Sequence, residues 1–357
     1  MNTATATDAA GAVMPRRAVT LAAGPALVLA LLLALAVAVQ LGAVPVSAHD
    51  WWAWAGDAPA TAGAYVLWEL RLPRALLAAC VGAALGLAGA LTQGLFRNPL
   101  ADPGLLGVTS GAVCAVALVL TVFAASAAAV PLAWRVWVLP ASAFVGALAV
   151  CFGLERLARW LTPGSVAGLL LTGLALNALA GALVGLCTYL ATDEQLRSLT
   201  FWTLGSIAGA TWAVVAVLAV ALAAALWQSR RLAHALNALA LGEAAAAHVG
   251  VDVAGLRMRL IVVVAVLCAL AVAWCGLIGF IGLMAPHLVR GLARGDQRRV
   301  LPLAMAAGAL LLVVADTVAR TVAIPAEIPV GIFTALIGAP MFLLMLRTMA
   351  RQQGGHA

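Results

Sequence analysis

Residues 75–96 form a run of 22 without a charge, introduced by Arg71 and Arg74 one helical turn apart and closed by Arg97. At ~1.5 Å rise per residue, a helix of that length crosses a hydrocarbon core of ~30 Å. Gly82, Gly86 and Gly89 fall on nearly one face, so a second helix can approach closely there. The run breaks on RNPLADP at 97–103, where Pro99 and Pro103 bracket Asp102, and restarts as the small-residue segment LGVTSGA. This block predicts a membrane helix, a polar turn at the far surface and a return helix. With 65% hydrophobic and 9% charged residues in 357, the chain is excluded as a soluble globule, for which ~25% charged is usual.

The rest of the chain repeats this pattern. Residues 18–44 carry no charge over 27 positions, too long for a signal-peptide core of ~7–15 residues, so they read as an uncleaved first span. A loose cytoplasmic tail, 1–17, precedes them. Residues 45–69 hold His49, Asp50, Asp57, Glu69 and Trp51, Trp52, Trp54 and Trp68, as expected of an outer interface belt. Further spans are predicted over 104–123, 136–157, 166–190 and 212–227. A polar loop at 193–197 and a Gly-rich re-entry at 201–212 precede the last of these. Between Arg259 and Arg290, GLIGFIGLMAP supplies breakers that divide the apolar stretch into two short passes. Spans over 301–319 and 330–346, then a tail at 347–357, give ten passes in one permease domain, 18–346.

All 20 cations are arginines, and with both termini inside, fifteen fall on the inner side and five (71, 74, 135, 197 and 320) on the outer. The expectation is thus an all-α polytopic protein, N-in and C-in. The net charge of +7 follows this topology and forms no basic patch interleaved with aromatics, so nucleic acid is not an expected partner. The six cysteines lie in apolar runs with no CxxC spacing and read as buried packing residues. No phosphate-binding loop, nucleophile elbow or HExxH is present, so no catalytic or metal-ligating residue is assigned.

RLPR, the glycine-spaced helix, Gln93, RNPLADP and LGVTSGA resemble, in this order, the FecCD-type permeases. Those are membrane subunits of type II ATP-binding-cassette importers for ferric siderophores, haem and cobalamin. GLIGFIGLMAPHLVR at 276–290 and AEIPVGIFTALIGAP at 326–340 resemble the family's last two signature blocks. The resemblance implies a plasma-membrane subunit paired with itself or a close paralogue. Two ATPase subunits binding ATP and magnesium would drive it, and a binding protein would feed it an iron chelate or related large metal complex. It implies no cofactor on this chain. Ferric siderophore leads by prevalence, then haem, then cobalamin.

Specific residues follow from the residues and from that resemblance. Arg71, Arg74 and Arg320 break the charge bias on the outer side. They read either as interfacial anchors or, by resemblance, as docking points for glutamates of the binding protein. Residues 232–256 are too small and polar to span and read as two short helices hinged at Gly242, either an interfacial amphipathic element or the family's coupling helices. Leu241, Gly242, Glu243, Ala244, Ala245, His248 and Gly250 would then meet the ATPase. The family's gate falls at positions equivalent to Val166 and Ala167. The cobalamin importer carries hydroxyls there, whereas this chain has Thr162 and Ser165 nearby. Arg97, Asn98, Pro99, Asp102, Pro103, Gly279, Pro286 and Pro329 read as shaping residues. Asp316, an acid in an apolar span, reads as an i,i+4 partner of Arg320 or, in a rival proton-coupled transporter, as a relay. His287 beside Arg290 reads as a satisfied interfacial histidine. An intramembrane enzyme would need a nucleophile–base pair that it lacks.

Overall fold

Of the passes the sequence lays out, eight are helices long and apolar enough to cross a membrane among the described residues. The computed structural model describes residues 16–55, 58–59, 61–324 and 326–354. The expected tail at 1–17 therefore lies outside the described residues except for its last two, and Asp57 and residues 355–357 lie outside them as well.

Helix α1 is Arg16–Gln40, and a short outer hairpin pairs Trp54–Ala55 with Ala58–Pro59. Helix α2 (Ala62–Tyr65) runs through a π-helical turn, Val66–Arg71, into α3 (Leu72–Phe96). Then follow α4 (Val108–Leu120), α5 (Ala124–Ala128), α6 (Leu132–Leu161), α7 (Val166–Leu190), α8 (Asp193–Thr203) and α9 (Trp212–Ala240). The chain ends with α10 (Glu243–His248), α11 (Val253–Cys275), α12 (Ile281–Arg290), α13 (Gln297–Thr321) and α14 (Val330–Gly354). Among the described residues one shorter apolar helix, α4, adds to these eight, and the 10-residue α12 packs against α3 and α13.

Helix α3 is the hub. Of its most apolar stretch 83% is buried, against 61% for α11 and α13 and 28% or less for α1, α6, α7, α9 and α14. The glycine face explains this. A Cβ at Gly82 would collide with the carbonyl of Gly308 on α13, one at Gly86 with that of Ala304, and one at Gly89 with that of Gly282 on α12. Only hydrogen at these positions lets the backbones meet, the device membrane helices use where burial of apolar surface supplies no drive. The reciprocal glycine on α13, Gly308, faces Gly82.

The structure corrects four details of the sequence reading. First, RNPLADP turns back into the membrane. Arg97 caps α3 in the left-handed region at φ 50, and Asn98 N–H binds the Gln93 carbonyl at 3.2 Å. The segment then runs back until Asp102 and Pro103 share a cavity with Leu85, midway along α3. Helix α4 consequently starts at depth and needs only 13 residues, ~20 Å. Such irregular backbone is tolerated because its polar groups are bonded internally: Asn98 Oδ1 accepts from Leu100 N–H at 2.9 Å and Asp102 Oδ1 from Gly104 N–H at 2.7 Å.

Second, the break between α11 and α12 is real, but α11 is a full span of 23 residues and only α12, at 10, is short. Third, 193–197 belong to helix α8, started by a capping box in which Thr192 N–H binds Gln195 Oε1 at 2.9 Å. Fourth, α9 continues through Arg230 and Arg231 to Ala240, so residues 232–256 contain a single separate short helix, α10.

Candidate functional site

At the outer ends of α3 and α13, the three outward arginines surround one cavity of about 390 Å³, with Gly42, Val44, Ala208 and Glu327 in its wall. Arg71 lies on the π-helical turn and is only 6% exposed. Its Nη1 donates to the carbonyls of Val39 (3.1 Å) and Gln40 (2.9 Å), and its Nη2 to that of Val44. Arg320 donates to the carbonyls of Leu41 (2.9 Å) and Ala38. The last carbonyls of a helix lack intrahelical partners and carry partial negative charge, so both arginines cap the outer end of α1.

Arg74 has a different task. Its Nη2 lies 2.9 Å and its Nε 3.0 Å from the Asp316 carboxylate, while its Nη1 lies 2.8 Å from Glu327 Oε2. Asp316 is thus held chiefly across the helix pair by Arg74, and Arg320 Nε stands farther off at 3.9 Å. The expected turn-to-turn pair with Arg320 exists but is the weaker contact, because Arg320 bends away to α1. Sequence spacing exposes an i,i+4 partner and conceals one 242 residues distant.

At the opposite end, Gly242 adopts φ 117, closed to side-chain-bearing residues, and turns the chain from α9 into α10. Glu243 opens α10 and pairs with Arg257 of α11 at 2.9 Å. Ala246 points inward, while Leu241 (80% exposed), Ala244, Ala245, His248, Val249 and Gly250 face out. His248 Nδ1 contacts its own Ala244 carbonyl at 2.7 Å. The Arg97 guanidinium lies beside Gly242, so the RNPLADP turn buttresses this knob from the membrane side. A clamp that the sequence reading missed holds α9 to α13: Asn237 Nδ2 donates to Asp296 Oδ1 at 2.8 Å, and Gln297 N–H donates to Asn237 Oδ1 at 2.9 Å. Burial, the main signal of such a clamp, is invisible in a sequence.

Between α6 and α7, both hydroxyls of the expected gate are used as caps. Thr162 Oγ1 donates to the Ala158 carbonyl at 3.2 Å, and Ser165 Oγ accepts from Gly168 N–H at 3.0 Å. Val166 is the first residue of α7 and Ala167 is exposed beside it. Gly279 lies in the α11–α12 break, Pro286 is buried within α12, and Pro329 immediately precedes α14. His287 is partly exposed, and its buried Nδ1 has no hydrogen-bond partner among the described residues. Its neighbour Arg290 instead donates to Gln93 Oε1 at 2.7 Å, while Gln93 Nε2 donates to the Leu283 carbonyl at 3.2 Å, tying α12 to α3. Among the described residues no three His, Cys, Asp or Glu side chains cluster closely enough to hold a metal ion.

The described residues form a helical bundle with eight helices long and apolar enough to cross a membrane, an arginine-lined outer cavity and a separate inner knob. Residues 28–348 match the FecCD transport family, and the chain belongs to it. It is the permease subunit of an ATP-binding-cassette importer, a multi-pass protein of the bacterial inner membrane and a transport component, not an enzyme. It is 41% identical to the hemin transport system permease protein HmuU of Yersinia pestis, over 97% of this chain and 99% of that one. It is 40% identical to the vitamin B12 import system permease protein BtuC of Serratia proteamaculans, over 88% and 91% of the two chains. A solved inward-facing metal-chelate type ABC transporter superposes with a TM-score of 0.78 at 33% identity, covering 91% of this chain and 98% of that chain.

Proposed function

We propose that the protein imports a metal tetrapyrrole, haem before cobalamin, as one of two permease subunits served by two ATPase subunits and a substrate-binding protein. The observation that carries the cargo reading is the near end-to-end similarity to a relative named for hemin transport, against shorter coverage for relatives named for vitamin B12. The chemistry of α7 agrees with it. That helix has no charged residue, and Leu171, Leu174, Leu179, Leu183 and Leu186 are exposed along it. Such a face suits a flat, largely apolar chelate and a second permease subunit better than a charged cargo.

In this reading Arg74, with Arg71 and Arg320 behind it, receives acidic residues of the binding protein, a contact that weakens with salt and acts mainly on the association rate. Leu241, Gly242, Glu243, Ala244, Ala245, His248 and Gly250 form the knob that meets the ATPase, which holds ATP and magnesium. Thr162, Ser165, Val166 and Ala167 form the hinge at the gate, the two hydroxyls setting helix ends and leaving Ala167 to narrow the path. The test is uptake into proteoliposomes holding the permease, its ATPase and its binding protein, with labelled haem, cobalamin and a ferric siderophore in parallel. Haem uptake at least tenfold above the other two supports the assignment, and preferential siderophore uptake refutes it.

A further inference from the structure

Arg74 holds two carboxylates that differ in how readily they can be exchanged. Asp316 has a side chain 3% exposed, receives hydrogen bonds from both Nε and Nη2, and sits on rigid α13. Removing it would leave a partly buried cation with only Glu327 as its partner. Glu327 has a side chain 48% exposed, receives a single bond from Nη1, and lies in the non-helical segment between α13 and α14. An exposed pair of this kind contributes little to stability. The Arg74 side chain that it covers borders the outer cavity, which has room for an incoming side chain.

We propose that Glu327 is an intramolecular stand-in for an acidic side chain of the binding protein. On docking, the partner's carboxylate replaces Glu327 on Arg74, and the released segment passes the event to α14. This rests on the docking reading above. Exchange of one carboxylate for another keeps Arg74 paired throughout, so docking never has to begin from a bare guanidinium. The path onward is short. Pro329 leads straight into α14, whose Gly331 N–H binds the Gly205 carbonyl at 3.4 Å and whose Gly338 lies against Phe280. Phe280, at φ 65, holds the break before α12 in a strained conformation, so motion of α14 acts on that break directly.

The test uses the permease with its ATPase subunits in nanodiscs and the purified binding protein as probe. Glu327→Gln is expected to tighten binding about two- to fivefold, the range of an exposed ion pair. Glu69→Gln removes the same charge from the turn bearing Arg71 without an ion pair to Arg74 among the described residues, and is expected to change binding far less. Spin labels at Leu70 and Ile324, both half-exposed on the cavity wall, are expected to separate when the binding protein is added. In Glu327→Gln they should stand apart beforehand. Equal effects of the two substitutions, or a label distance that docking does not change, would overturn the inference. Absence of salt-sensitive binding by the unsubstituted permease would instead sink the docking reading beneath it.

Discussion

At the scale of single residues, polar groups placed in an apolar solvent need partners within the protein. Asp316 would cost ~2.5–3.5 kcal/mol as a lone carboxylate in a span, and Arg74 offsets this by meeting it at 2.9 Å. Replacing Asp316 by alanine leaves Arg74 with only its exposed partner, and a loss of about 3–5 kcal/mol is expected, read by denaturant unfolding in detergent. A change under 1 kcal/mol would show the pair to be incidental. On the inner side, the Asn237 hydrogen bond holds the Asp296 carboxyl below its ordinary value near 3.8. Partial burial opposes it, while Arg298 N–H and the charges of Arg298 and Arg299 assist. The fold therefore favours ionised Asp296. Its stabilisation is complete above the ordinary value and is lost as pH falls through the lowered one. The stability gap between the unsubstituted protein and Asn237→Ala should be constant at neutral pH and shrink only in strong acid. A gap that changes between pH 6 and 8 would contradict this.

At the scale of elements, glycines and breakers set the architecture. Gly82→Leu would drive a side chain into the Gly308 backbone, where no rotamer escapes it. Overpacking of this kind typically costs ~1–3 kcal/mol, and contact with backbone places it at the upper end. The folded yield in membranes should fall accordingly, while Gly153→Leu, at an open position, should leave it unchanged. Gly242→Val would strain the turn into α10 at φ 117 without touching a span. Normal insertion with at least tenfold weaker stimulation of the ATPase is expected, and full stimulation would remove the knob from the coupling role. These elements also show what a sequence reveals. The α3 glycine face and the break after Cys275 were legible because breakers and small residues act locally. The inward return of RNPLADP was not, because a polar, proline-bracketed segment looks the same at the surface and at depth. Continuation of α9 through Arg230 and Arg231 was hidden because charges end a span without ending a helix.

At the scale of the whole molecule, the polytopic all-helical plan was readable from hydropathy and arginine placement, with eight of the expected passes standing as long apolar helices and α4 as a shorter one among the described residues. The outer site was readable only in part. RLPR and the acid–arginine pair near 320 mark a cationic outer face, yet nothing in the sequence says that Arg71 and Arg320 are committed to the end of α1. Five long helices have most of their apolar surface uncovered, which a lipid bilayer and a second permease subunit would share. Cysteine pairs placed on the exposed leucines of α7 should crosslink in native membranes to twice the monomer mass, and monomer alone would refute pairing through that face. In this reading transport is powered by ATP on partner subunits. The measurement that addresses it most directly is haem uptake into proteoliposomes with ATP inside and no ion gradient, repeated with a pH gradient and no ATP. Uptake is expected in the first condition only, and it should vanish without the binding protein. Uptake driven by the pH gradient and abolished by Asp316→Asn would contradict it and place Asp316 at the centre of a proton-coupled mechanism.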